Sequence, residues 1–302
     1  MKDLDWSNLS FGYRQTDYNV RCYYRNGKWG EIEICSDEYL KLHMAATCLH
    51  YGQEAFEGLK AYRCPDGKVR VFRMDENAAR LQSTCRGIMM PEVPTELFEE
   101  MVKKVVRLNQ EWIPTYESGA TLYIRPLLIG TSAQVGVHPA TEYCFLIFVT
   151  PVGPYFKGGF STNPYVIIRD FDRSAPLGTG IYKVGGNYAA SLRANHIAHE
   201  KGYACEFYLD AKEKKYMDED LGMKVERRQI PEDELETFEE AGACGTAAVI
   251  SPISYIDDLD TGKRYNFGEK PGPISKHLYD TLRGIQYGTI EDKHGWTTVV
   301  IE

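Results

Sequence analysis

Apolar residues along this chain recur with two different periods, and the changes of period mark out its elements. Between Pro94 and Trp112, Leu97, Met101, Val105 and Leu108 return every three or four residues, which predicts an amphipathic helix with one buried stripe. A second helical pattern, Ala78, Leu81, Cys85 and Met89, follows Asp75, whose carboxylate suits the N-cap. Residues 19–35 and 60–73 read as short strands with turns at Asn26-Gly27 and Pro65-Asp66-Gly67. Residues 120–129 and 143–149 are almost continuously apolar, as expected of central strands.

The second half continues the mixture. Residues 151–159 are rich in Pro and Gly and open an expected interdomain linker, 151–162. A strand is expected at 165–170, then a helix capped by Asn187 that runs to about His199 and ends at Gly202. Residues 205–209 and 215–217 suit a hairpin, 225–228 and 247–253 suit strands, and 231–240 and 273–285 suit helices. The expected fold class is α/β (mixed α+β). Residues 1–150 would form a smaller N-terminal domain, and 163–302 a larger C-terminal one.

Composition narrows the function classes. The 302 residues carry a net charge of -8, which disfavours nucleic acid or an anionic membrane as partner. No apolar run approaches a membrane span, and the start Met1-Lys2-Asp3-Leu4-Asp5-Trp6 lacks the apolar core of a signal peptide. The eight cysteines are scattered, with no Cys-x-x-Cys pair and no His at zinc-ligand spacing, so no metal site is expected. They suit small buried side chains in a reducing, cytoplasmic compartment.

Candidate chemistry centres on Gly180-Ile181-Tyr182-Lys183-Val184-Gly185-Gly186-Asn187-Tyr188. A lysine between a hydrophobic run and a Gly-Gly turn is expected to have its backbone fixed on both sides, and a desolvated amine is a nucleophile toward aldehydes. On spacing alone the same segment also suits a surface lysine. Residues 49–62, from Leu49-His50-Tyr51-Gly52 to Phe56-Glu57-Gly58-Leu59-Lys60-Ala61-Tyr62, precede it in the chain. Tyr123-Ile124-Arg125-Pro126, Pro151-Val152-Gly153-Pro154-Tyr155-Phe156 and Gly245-Thr246-Ala247 complete an ordered set of motifs.

Together these resemble the branched-chain amino-acid aminotransferases, fold-type IV enzymes that use pyridoxal phosphate (PLP), over about Tyr13 to Trp296. The resemblance implies transamination between leucine, isoleucine or valine and 2-oxoglutarate by a ping-pong route, through an internal aldimine on Lys183. Around PLP, lying between the two domains, it places Arg80 and Thr246 at the phosphate, Tyr188 at the ring oxygen, Glu219 at the pyridine nitrogen and Arg173 nearby. For the substrate it implies an aromatic slot of Phe56, Tyr51, Tyr123 and Tyr155, with Arg125 on the strand face of Tyr123. Amides of Thr246-Ala247 would meet the substrate carboxylate, helped by the Tyr123 hydroxyl. Lys60 occupies a position where relatives carry Arg or Lys, without an assigned role. A homodimer is implied, with Gln134-Val135-Gly136-Val137 approaching the partner's pocket. The Cys-x-x-Cys pair that some relatives carry after Gly-Thr-Ala is replaced here by Ala247-Ala248-Val249-Ile250.

The resemblance breaks once. After Glu219 the family continues through a strand, a second phosphate clamp and most of a helix, whereas here Asp220-Leu221-Gly222 follows at once. Three readings stay open: an absent stretch belonging to the natural chain, a genuine deletion, or a catalytically silent relative. Alternatives within the fold are a D-amino-acid aminotransferase and an aminodeoxychorismate lyase. A further one is a Schiff-base aldolase working without PLP.

Overall fold

In the computed structural model, which describes residues 1–153, 160–209 and 228–302, the strand-like stretches of the first half join one sheet. They are β1 (Asn19–Arg25), β2 (Lys28–Trp29), β3 (Glu33–Cys35), β4 (Glu54–Phe56), β5 (Leu59–Arg63), β6 (Val69–Phe72), β7 (Thr121–Gly130) and β8 (Tyr143–Val152). Among them run α1 (Thr47–Tyr51), α2 (Met74–Gly87) and α3 (Thr95–Leu108). The Asn26-Gly27 turn has both residues at positive φ, 53° and 77°, which matches the twist of paired strands. Asp75 does not cap α2. The helix begins one residue earlier, behind Arg73 in the left-handed region, so Asp75 lies in the first turn, where its charge still meets the positive helix end. Met89 falls beyond the helix at φ 55°.

By its contacts the chain forms two units. One gathers Met1–Tyr155, Ile181–Gly185 and Leu282–Glu302, and the other Phe156–Gly180 and Gly186–Thr281. A single boundary at 151–162 would put the lysine turn and the chain's end in the second unit. They join the first because their backbone bonds go there: the Phe56 N–H donates to the Lys183 carbonyl at 3.2 Å. No local pattern reports such distant pairing.

The second half supplies β9 (Asn163–Ile168), α4 (Gly185–Glu200), β10 (Cys205–Tyr208), β11 (Gly242–Gly245), β12 (Val249–Asp258), β13 (Lys263–Asn266) and α5 (Pro273–Gln286). β9 lies between β10 and β12 and is parallel to both, while β11 and β13 flank β12 antiparallel. Alternation along β9 sends Tyr165 and Ile167 to one core and Val166 and Ile168 to another, where α4 packs Ala194 and Ala198. Asn187 does not cap α4, which begins at Gly185; its buried side chain instead bonds both the hydroxyl and the carbonyl of Thr179. The helix expected at 231–240 is a 3₁₀ segment, Glu232–Thr237. Residues 215–217 and 225–227, expected as strands, lie outside the described residues.

The last strand, β14 (Thr297–Ile301), pairs with β6 and completes the first sheet in the order β14-β6-β5-β7-β8-β1-β2. β3 adds to β1, and β4 to β7. One face of this sheet, with Ala61, Val71, Leu122, Ile124 and Phe145, packs on Leu81, Phe98, Met101 and Val105 of α2 and α3. Burying each such side chain contributes on the order of 2 kcal/mol, so this packing sets the position of everything on the opposite face.

Candidate active site

Strand alternation puts Glu54 and Phe56 of β4, Lys60 and Tyr62 of β5, and Tyr123 and Arg125 of β7 on that opposite face. The lysine turn belongs to the same unit. The Lys183 N–H donates to Oγ1 of buried Thr84 at 3.1 Å, and its carbonyl accepts the Phe56 N–H. The Lys183 Nζ stands 4.4 Å from the centre of the Phe56 ring. The Gly185 N–H donates to the Glu54 carboxylate. Burial raises the Glu54 carboxyl above its ordinary range, against the opposing pulls of that N–H and of Arg125.

Arg80, on α2, presents its fork to Glu57: Nε and Nη2 each donate to the carboxylate at 2.7 Å. Glu57 is fully buried, and Asn77 Nδ2 adds a third bond at 2.7 Å. Arg80 lies one helical turn before Thr84, so the guanidinium and the Lys183 anchor share a face of α2. Glu57 and Asn77 are participants that the sequence reading missed. No spacing rule would pair an acid in a strand–turn with an arginine of the next helix.

Tyr123 is buried, and its hydroxyl accepts a bond from Arg125 Nη2 at 3.0 Å. The Arg125 guanidinium lies 4.8 Å from the Phe56 ring centre. Its Nε is buried and has no hydrogen-bond partner among the described residues, an orphaned donor that fits an anionic group. Gly58 is required here, because a Cβ would come within 2.3 Å of the Tyr123 hydroxyl. Tyr51, at the end of α1, donates to the Val135 carbonyl and so ties the 134–137 loop to its own helix.

Lys60 lies directly across from Tyr123 and is 5% exposed. Burial first, and Arg283 of α5 second, lower its ammonium from 10.5 to about 7. Between those values the unfolded chain holds a proton that the folded chain has released, so stability rises with pH across the window, by up to about 1.4 kcal/mol per pH unit. Lys60→Met is expected to flatten this rise. Urea unfolding at pH 6.5, 7.5 and 8.5 reads it, and an unchanged slope in the variant would reject the assignment.

The second unit holds the other candidates. Tyr188 sits exposed on α4, and Arg173 is half-buried in the loop after β9. Arg173 acts electrostatically on Tyr208, whose hydroxyl is raised chiefly by burial. Thr246 and Ala247 occupy the turn between β11 and β12, which closes on Val249 at φ 66°. A β-branched residue in that region costs roughly 1–3 kcal/mol, strain of the kind that collects at functional turns. Glu219 and Tyr155 lie outside the described residues. Among the described residues no cluster of metal-ligating side chains occurs.

A family model for amino-transferase class IV matches residues 54–214. The branched-chain-amino-acid aminotransferase of Haemophilus influenzae is 44% identical over 343 aligned positions, covering 99% of this chain and 100% of the relative. That of Helicobacter pylori is 44% identical, covering 98% of each. Among solved structures, the Escherichia coli branched-chain amino acid aminotransferase has a TM-score of 0.78 at 25% identity, covering 94% of this chain and 99% of that one. The T.th. branched-chain amino acid aminotransferase with pyridoxamine 5'-phosphate has a TM-score of 0.74 at 25% identity, covering 95% and 100%. The Haemophilus alignment is longer than this chain's 302 residues, so that relative carries residues that this chain lacks.

Proposed function

The chain belongs to the class IV aminotransferases, in their branched-chain-amino-acid group, and from that premise we propose that Lys183 carries the cofactor and that 2-oxoglutarate is the second substrate. The enzyme is a PLP-dependent transferase of amino groups. Bound PLP supplies a conjugated ring that takes up the electron pair left on the substrate's α-carbon. The donor set suits it: a lysine amine for an aldehyde and, one helical turn from the lysine's anchor, the Arg80 guanidinium, whose charge suits a phosphate while its fork rests on Glu57.

The observation that carries the assignment is the setting of Lys183. Its N–H and carbonyl are both bonded, and its amine lies over the apolar Phe56 ring, which shields one side from water. From there the amine acts as base and then acid on the proton of the substrate's α-carbon. Arg80 and Thr246 would hold the phosphate and Tyr188 the ring oxygen, Arg173 would lie nearby, and Glu219 would keep the ring nitrogen protonated. Amides of Thr246 and Ala247, with the Tyr123 hydroxyl, would take the α-carboxylate. Residues absent from this chain but present in the Haemophilus relative would follow Glu219, where the motif order breaks.

Two kinds of side chain must use one pocket. Phe56, Tyr123 and Tyr51, with Tyr155 where the family resemblance places it, would offer an apolar slot to a branched aliphatic group. Arg125, with its orphaned Nε beside that slot, offers a charge partner to the distal carboxylate of 2-oxoglutarate. Arg125→Met is therefore expected to lower kcat/KM for 2-oxoglutarate by about 100-fold and for L-leucine by less than about tenfold. Steady-state kinetics against each substrate in turn checks this. Equal losses would remove Arg125 from the selectivity role.

A homodimer fits the exposed apolar side chains around α1 and the loop before β8, including Met44, Leu49, Val135 and Val137. Sedimentation at the mass of a single chain would reject it. A reducing, cytoplasmic location accords with eight free cysteines, four of them buried. No helix among the described residues is long and apolar enough to cross a membrane.

A further inference from the structure

Residues 181–184 form no helix or strand, so hydrogen bonds and packing must hold the main chain that carries Lys183. The structure shows four such holds. The Lys183 carbonyl accepts from the Phe56 backbone, and Tyr182 lies flat against Gly87, where a Cβ would come within 2.2 Å of its ring. The other two are side chains: Thr84 Oγ1 accepts the Lys183 N–H, and the Glu54 carboxylate accepts the Gly185 N–H. Thr84 is 1% exposed and cannot leave for water. Glu54 approaches so closely that a Cβ on Gly185 would lie 2.0 Å from its oxygen, which accounts for glycine at that position.

We propose that Glu54 and Thr84 are positioning residues that clamp the Lys183 turn from two sides, a role that rests on Lys183 being the cofactor-bearing lysine. Neither touches the reacting atoms. Glu54 is faced by Arg125 from β7 and by Cys48 from α1, and it meets the lysine turn through its backbone. It therefore stands between the guanidinium assigned to the substrate's carboxylate and the turn assigned to the cofactor. Without the clamp the amine samples more orientations, and capture of the aldehyde slows.

The test uses the purified full chain. Hydrogen exchange is followed without PLP at the amides of Lys183 and Gly185, with α3 as the control segment. Capture of PLP is followed by borohydride quenching and mass mapping of the adduct on Lys183. Glu54→Ala is expected to raise exchange at the Lys183 amide, which Glu54 does not touch, by about tenfold. Thr84→Val should do the same at Gly185, and both should slow capture by about tenfold, with α3 unchanged. Glu54→Gln and Thr84→Ser keep an acceptor oxygen and should stay within about threefold of the parent. Should Glu54→Ala fail to fold, Thr84→Val against Thr84→Ser decides. Parent-like exchange and capture in Thr84→Val, or equal losses in Thr84→Val and Thr84→Ser, would overturn the proposal. A parent adduct mapping elsewhere would reject the Lys183 assignment, while the exchange data would still decide whether the turn is clamped.

Discussion

Lys183→Ala is expected to lower transamination of L-leucine with 2-oxoglutarate by at least about 10⁴-fold, because one amine is lost as both covalent anchor and proton carrier. The fold should survive. The Thr84 and Phe56 hydrogen bonds to this residue use the Lys183 backbone, and the Glu54 bond uses Gly185, so alanine keeps all three. The side chain lies on the surface of the Phe56 ring and is not part of the α2–α3 core, so its removal opens no cavity there. The melting temperature should stay within a few degrees of the parent. Borohydride reduction after incubation with PLP should leave the parent with a Lys183 adduct and the variant without one there. Turnover above about 1% of the parent, with the fold intact, would remove Lys183 from the reaction.

Arg80→Met should separate cofactor binding from folding. Glu57 is fully buried, and Arg80 supplies its charge partner through two bonds of 2.7 Å. Losing that partner leaves a buried carboxylate against the neutral donors Asn77 Nδ2 and the Gly58 N–H. Because the Arg80 side chain is 52% exposed and screened by solvent, the cost falls below that of a fully buried broken pair, to roughly 2–3 kcal/mol. For a chain of this size that is a fall of about 3–5 °C in melting temperature without cofactor. The double variant Glu57→Gln, Arg80→Met removes both charges and should recover most of the stability. It should not recover PLP affinity, if Arg80 holds the phosphate. Arg80→Met with parent stability would show that Glu57 does not depend on it. A double variant that binds PLP like the parent would take Arg80 away from the phosphate.

Much of the fold was legible as pattern. The 3.6-residue recurrence from Leu97 to Leu108 became α3, and the continuous apolar runs became β7 and β8, the long central strands of the first sheet. Errors fell at helix ends. Asp75 and Asn187 are both good N-cap residues, yet both lie inside their helices, because Arg73 took up a left-handed turn and Asn187 was drawn to Thr179. Cap preference is worth about 1 kcal/mol, and a tertiary hydrogen bond can outweigh it.

Motif identity and order were enough to point to the family, the cofactor and the candidate lysine, because these are carried by residues close together in the chain. The same sequence could not show that Arg80 binds Glu57, that Lys60 is buried across from Tyr123, or that Glu54 reaches Gly185. Glu54 and Gly185 are 131 residues apart, and Thr84 and Lys183 are 99 apart. Such meetings depend on which strands pair, in what register, and which face each side chain takes. A one-residue shift in register would carry Glu54, Phe56, Tyr123 and Arg125 to the opposite face. Only the packed sheet, with α2 and α3 holding its other face, decides that these side chains gather around Lys183.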